Sequence, residues 1–264
     1  MNIFKREIKA SLRSLIVWGV IVVLFVAVGV SKFSAYYNNP DMLKVLDTLP
    51  KAALDMLNVQ AFNLTTVSGF FGIMYTYFAL LLGIAAAMWG TDMIVKEERD
   101  KTIEFSLTLP VTRRRLVTAK AVAALTNCVV LLLITWGVSA ASAAPYQPDA
   151  AFYKFLTLCM LALFVIQLIF LSLGLFLGCA MKRYKQATSM AVSLLLVTYF
   201  ISFVTVLNKD LNFLKYVSPF KYFDPAALLH QSRFDMVTLL IAAAIIVTSL
   251  VGAYRTFAGR DLYI

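Results

Sequence analysis

Hydrophobic positions along the chain gather into six long runs parted by short charged connections: Leu15 to Phe33, Val67 to Thr91, Ala121 to Ala144, Phe155 to Met181, Ala187 to Leu207 and Met236 to Tyr254. A helix rising 1.5 Å per residue needs roughly 20 residues to cross about 30 Å of hydrocarbon, and every run meets that length. The one charge inside a run is Lys32, placed where its stem can carry the ammonium to the headgroups. All seven prolines fall between the runs, so nothing interrupts the helices the runs predict. The pattern predicts an all-α polytopic membrane protein with one domain over residues 1–264. The first run follows a basic N-terminus as a secretory leader would. It is long for a leader and has no small-x-small cleavage site before Lys32, so it reads as a retained span.

Composition supports the same solvent. With 61% hydrophobic and 14% charged residues and a mean hydropathy of +0.82, a soluble domain of this length would expose more apolar surface than its core could hide. Six spans put both termini on one side, which divides the connections into two sets. The set with the termini carries sixteen Lys and Arg and the other set eight, while acidic residues divide seven and seven. By the positive-inside rule both termini face the cytoplasm of a multi-pass cell-membrane protein. The net charge of +10 lies close to span ends, with no aromatic-interleaved soluble domain, so anionic lipid headgroups rather than nucleic acid are its counterpart.

Several chemistries are excluded. Cys128, Cys159 and Cys179 sit inside spans without C-x-x-C spacing and read as small packing residues. His230 is the lone histidine, which argues against a histidine metal site or an acid–base pair. No Gly precedes a Lys, so the phosphate-cradling G-x-x-x-x-G-K-[ST] loop is absent, and no catalytic or metal residue is assigned. Asn63-Leu64-Thr65 matches a glycosylation sequon, too short a pattern to carry weight. An intramembrane enzyme would need a constellation of Ser, His, Asp, Glu or metal ligands at membrane depth, whereas the spans lack acids and His230 lies in a connection. An ion-coupled secondary transporter would need ionisable midplane sites, where these spans offer Ser, Thr, Asn127 and Gln167.

Four connections carry more than a turn. Before the first run, Phe4, Ile8 and Leu12 recur every four residues among Lys5, Arg6, Lys9 and Arg13, the pattern of a short basic amphipathic helix along the inner membrane surface. Residues 34–66 hold spaced apolar positions punctuated by Pro40 and Pro50, which predicts one or two outer amphipathic helices. Between the second and third runs, Lys96 to Phe105 extends the second span into the cytoplasm as a charged helix before Leu109-Pro110. Between the fifth and sixth runs, Tyr216, Phe220, Tyr222 and Phe223 suit the aromatic belt of an interface.

Two of these connections resemble a known family. Glu98-x-x-x-Thr102-Ile103-Glu104-Phe105, followed by Leu107-x-Leu109-Pro110-Val111-Thr112-Arg113 and ending in Lys120, resembles the signature between spans two and three of ABC-2 permeases, the membrane subunits of many ATP-binding-cassette exporters. Lys101 stands where the family usually has Gly. Leu214-Lys215-Tyr216-Val217-Ser218-Pro219-Phe220-Lys221-Tyr222-Phe223-Asp224 resembles the family's segment before the last span. The resemblance implies the architecture of a type V ABC exporter: six transmembrane helices, an N-terminal interfacial helix, a cytoplasmic coupling helix between spans two and three, and short outer helices between spans five and six. It implies Glu97, Glu98, Thr102, Glu104, Leu109, Pro110 and Arg113 as the coupling segment that docks into the ATPase. It also implies two copies of that ATPase, which hold ATP and Mg, this chain having no cofactor of its own. A second permease subunit, identical or related, completes a path for export.

The path is expected between the two membrane subunits, lined by the second and fifth spans. Phe70, Phe71, Met74, Tyr75 and Phe78 would supply adaptable apolar contacts, and Thr198, Ser202 and Thr205 hydrogen bonds, which suits a hydrophobic or amphipathic substrate. The competing reading is that the aromatics pack on neighbouring helices and the hydroxyls bond carbonyls of their own helix. A non-transporting sensor on the same fold would carry the same features.

Overall fold

The computed structural model describes residues 3–37, 39, 62–99, 112–181, 184–207, 209–231 and 233–259. Among the described residues, six helices are long and apolar enough to cross a bilayer. They are α1 (Ile3–Tyr36), α2 (Val67–Arg99), α3 (Arg113–Ala143), α4 (Ala150–Ala180), α5 (Tyr184–Leu207) and, after a short helix α6 (Pro225–Gln231), α7 (Met236–Ala258). Each covers one hydrophobic run to within a residue.

The N-terminal basic segment differs from its expectation. Helix α1 is unbroken through its 34 residues, so the turns carrying Phe4, Ile8 and Leu12 open the first span rather than form a separate surface helix. No proline interrupts it, and at 1.5 Å per residue it is about 50 Å long, some 20 Å more than the hydrocarbon requires. Helix α2 likewise continues past Thr91 as far as Arg99. The charged extension read from the sequence is helical that far; residues 100–111, like residues 40–61 of the outer segment, lie outside the described residues.

Helix α4 is the hub, packing on α2, α7, α3 and α5. Its closest approach is to α2. A Cβ built on Gly90 would come within 2.5 Å of the Leu171 carbonyl oxygen, and one built on Gly174 within 2.5 Å of the Ala87 oxygen. Gly178, one turn on, faces Thr91 at 3.2 Å. Small residues thus let two backbones touch, the usual way helices gain contact in a solvent as apolar as their own side chains. The outer helices turn apolar faces outward, including Ile16, Val20 and Leu24 on α1, Leu194, Val197 and Phe200 on α5, and Leu240, Val247 and Val251 on α7. Lipid or a second membrane subunit can cover such faces; water could not without a large hydrophobic penalty.

Most Ser and Thr hydroxyls in the bundle bond carbonyls of their own helix, and a few polar side chains join helices. Asn127 of α3 donates to the Ser11 hydroxyl of α1 at 2.9 Å, and Gln167 of α4 to the Cys128 carbonyl of α3 at 3.3 Å. The Thr91 and Thr188 hydroxyls link α2 to α5 at 3.1 Å. Asn127 and Gln167, the two amides in the spans, therefore serve as packing glue. Cys128, Cys159 and Cys179 are buried among their neighbours, as packing residues should be.

Between α5 and α7 the chain forms short helices: 3-10 turns at Lys209–Tyr216 and Pro219–Lys221, then α6. The Ser218 hydroxyl donates to the Thr198 carbonyl at 2.7 Å, pinning the segment to α5. Thr238 of α7 donates to the Tyr222 carbonyl at 3.2 Å and fixes its other end. Of the four aromatic residues expected at an interface, Tyr216 is exposed while Phe220, Tyr222 and Phe223 are buried. The reason is local: Phe220 packs on Phe170 and Tyr199, and Phe223 on Phe234, so these rings hold the segment to the bundle. In the sequon, the Asn63 side-chain oxygen accepts from the Thr65 amide at 3.0 Å, forming the turn that leads into α2.

Candidate functional site

Where α2 leaves the bundle toward residues 100–111, five charged side chains from three helices meet. Glu7 of α1 is wholly buried, and Lys120 of α3 is 1% exposed. Glu97 of α2 is 6% exposed. The Lys120 ammonium lies 3.2 Å from Glu97 and 3.7 Å from Glu7, and donates to the Met93 carbonyl at 2.6 Å. Arg6, partly exposed, reaches Glu97 at 2.7 Å and Glu7 at 3.2 Å. Lys96 of α2 pairs with the other oxygen of Glu7. Two carboxylates thus share three cations.

Such a cluster is a registration device more than a source of net stability. Removing two charges from water costs several kcal/mol each, which close pairing roughly recovers, whereas deleting one partner leaves the other stranded at a cost of about 3–5 kcal/mol. One helical layer toward the membrane centre, Trp89 of α2 donates to the Ser14 hydroxyl of α1 at 3.0 Å, beside the Asn127–Ser11 bond. Helices α1, α2 and α3 are therefore locked in register at one end by two successive polar layers.

The far side of the 100–111 segment is anchored too. The Thr112 hydroxyl caps α3 by accepting the Arg115 amide at 3.3 Å. Arg113 reaches the carbonyls of Phe257 and Ala258, at 3.5 and 3.4 Å, in the last turn of α7. A displacement of the segment would pull on α1 and α3 through its α2 end, and on α7 through its α3 end. Among the residues expected to couple, Glu97 lies in the buried cluster and Arg113, at the start of α3, bonds the end of α7. Thr102, Glu104, Leu109 and Pro110 lie outside the described residues, as does the side chain of Glu98.

Sequence reasoning passed over Glu7. Its signal was present: it is the single acid in an otherwise basic opening, and at helical spacing it shares a face with Ile3, Phe4, Ile8 and Ser11. An acid among core positions points to cations on neighbouring helices.

The expected path residues all lie within the described helices. Phe70, Phe71, Met74, Tyr75 and Phe78 are buried within the single chain. Phe70 stacks on Phe33 of α1 at 4.6 Å, Phe71 meets Phe152 of α4 at 5.4 Å, and Phe78 meets Phe25 at 5.8 Å. Thr198, Ser202 and Thr205 each donate to a carbonyl three residues earlier in α5. In this conformation they pack and bond as ordinary bundle residues. Tyr75 and Ser202 nevertheless line a shared gap of about 40 Å³ between α2, α5 and the outer segment, with Phe220 and Lys221 at its rim. Lys221 also lines a cavity of about 460 Å³ at the end opposite the ion cluster, with Lys215, Arg233 and Asp224. Burial pushes the Lys221 ammonium below the ordinary lysine value, against the opposing pull of Asp224.

Six membrane-length helices among the described residues, packed around a central α4, define a multi-pass helical membrane protein. A model of the ABC-2 family transporter protein matches residues 1–262, and the chain belongs to that family. It is thus the membrane component of an ABC transporter, which associates with an ABC ATPase subunit, and ATP hydrolysis resides in separate subunits. No curated protein matches the sequence.

Proposed function

We propose that this chain is one half of an ATP-driven exporter: two membrane subunits, identical or related, enclose the path, and two ATPase subunits holding ATP and Mg dock on the segment from Asp92 to Lys120. The observation that carries the reading is the convergence of that segment's two ends on the bundle, through the Glu7–Glu97–Lys120 cluster on one side and Arg113 on the other. A push at Glu98, Thr102, Glu104, Leu109 or Pro110 would enter a stiff helix already keyed to its neighbours. The excess of basic residues at this end supports a cytoplasmic location for it and for both termini.

The substrate reading is a hydrophobic or amphipathic molecule moved between α2 and α5 of facing subunits. The gap shared by Tyr75 and Ser202 supports it, since it marks a place where these two helices already part beneath the outer segment. At about 40 Å³ it has room for roughly one water, as a closed path should. The test is reconstitution in vesicles with and without the ATPase encoded nearest to this chain. ATP-dependent movement of an amphipathic substrate that needs both components supports the reading; ATP turnover by the isolated chain overturns it.

A further inference from the structure

Two cavities meet at Tyr254 on the outside of the bundle, at the same end as the ion cluster. One is an apolar groove of about 180 Å³ between α3, α4 and α7, walled by side chains such as Val122, Leu125, Leu168 and Leu250. The other, about 420 Å³, is bounded by Arg114, Arg255 and Ala258. Tyr254 lines both. Its hydroxyl is 2.8 Å from that of Thr118, which donates to the Arg114 carbonyl at 2.9 Å, so Tyr254 supplies the proton of the first bond. The phenol is thereby held at the boundary between an apolar trough and a basic rim.

Arg255 stands in the last turn of α7, where it complements the helix dipole, and Arg114 in the first turn of α3. Both are exposed, and among the described residues neither has an ion-pair partner. Arg113 beside them is spent on the α7 carbonyls. The first turn of α3 contains no acid, so the positive end of its helix dipole adds to the guanidinium charge instead of being offset. A basic rim directly above an apolar groove is complementary to one kind of molecule, an anionic head joined to a hydrocarbon chain.

We infer that this joint site binds an anionic phospholipid, with its phosphate between Arg114 and Arg255 and an acyl chain along Leu125, Leu168 and Leu250. A zwitterionic lipid fills the trough equally well but gains less from two unpaired arginines. The proposed orientation of the chain decides only which leaflet supplies the lipid: the basic end facing the cytoplasm makes it the inner one.

The test is native mass spectrometry of the complex with its ATPase subunits in detergent, titrated with phosphatidylglycerol, phosphatidylcholine and soluble glycerol phosphate. Micelles have no leaflets, so the outcome is independent of the orientation reading. The wild type is expected to retain phosphatidylglycerol at least tenfold better than phosphatidylcholine, and the double variant Arg114→Gln/Arg255→Gln to lose that preference with an unchanged melting temperature. Val122→Trp, which fills the groove and leaves the arginines in place, is expected to weaken phosphatidylglycerol retention as well. Equal retention of the two lipids by the wild type, or an undiminished preference in the double variant, overturns the site. So does displacement by glycerol phosphate as effective as by the lipid, because the groove would then contribute nothing.

Discussion

Lys120 of α3 and Glu7 of α1 face each other at 3.7 Å, although 113 positions separate them and neither touches solvent appreciably. Each is costly to bury alone and tolerable with the other, so the pair sets the register of two helices that meet where α2 leaves the bundle. Truncating one partner, as in Lys120→Met or Glu7→Gln, is expected to destabilise the complex by about 3–5 kcal/mol, with the double variant recovering part of the loss. A double-mutant cycle on thermal unfolding in detergent checks this. Strictly additive single effects would show that the two charges do not communicate.

Gly90→Ala should part α2 from α4, because its Cβ would sit 2.5 Å from a backbone oxygen that cannot rotate away. A cost of about 1–3 kcal/mol is expected, the range for forcing excess volume into a packed core. Gly137→Ala serves as the control, since nothing lies within 4 Å of its added methyl. There the substitution should be neutral or slightly stabilising, by up to about 1 kcal/mol from helix propensity. The comparison is made on melting temperature and folded yield.

For orientation, Arg114→Cys and Arg233→Cys probe opposite ends of the bundle, both from exposed positions. In a background lacking Cys128, Cys159 and Cys179, a membrane-impermeant thiol reagent added to intact cells should label position 233 and spare position 114. The reverse pattern would invert the topology.

Coupling is tested at Glu98, Glu104 and Pro110. Glu104→Ala or Pro110→Ala is expected to reduce transport at least tenfold while leaving membrane expression and melting within the roughly 0.5 kcal/mol typical of surface changes. Retained transport together with retained ATPase assembly would leave the carboxylates as solvated charges and Pro110 without a docking role.

The sequence announced the helices plainly, because a run of twenty apolar residues admits few structures and each proline fell in a connection. What it concealed is which side chains meet. The start of α1 read as a surface helix because its lysines and arginines dominate the pattern, whereas Glu7 among them answers to Lys96 and Lys120, distant in the chain. Phe220, Tyr222 and Phe223 read as interfacial for a similar reason: an aromatic ring suits a headgroup region and a core equally, and only tertiary contact decides. The seam at Gly174 and Gly178 went unread, although small residues four apart in an apolar helix are the signal that could have marked it.

That seam bears on how force can travel. Helices α2 and α4 touch backbone to backbone at Gly90 and Gly174, with no long side chains between them to absorb a displacement. They behave as the two flanges of one beam. Helix α2 ends at the ion cluster, and α4 packs along α7, so a tilt imposed at the Arg99 end sweeps α4 and α7 with it as a lever arm about the crossing point. Helix α5 meets α2 through the Thr91 and Thr188 hydroxyls and presents its other face outward, so under the proposed function it is the element that would part from the beam and open a space beside it.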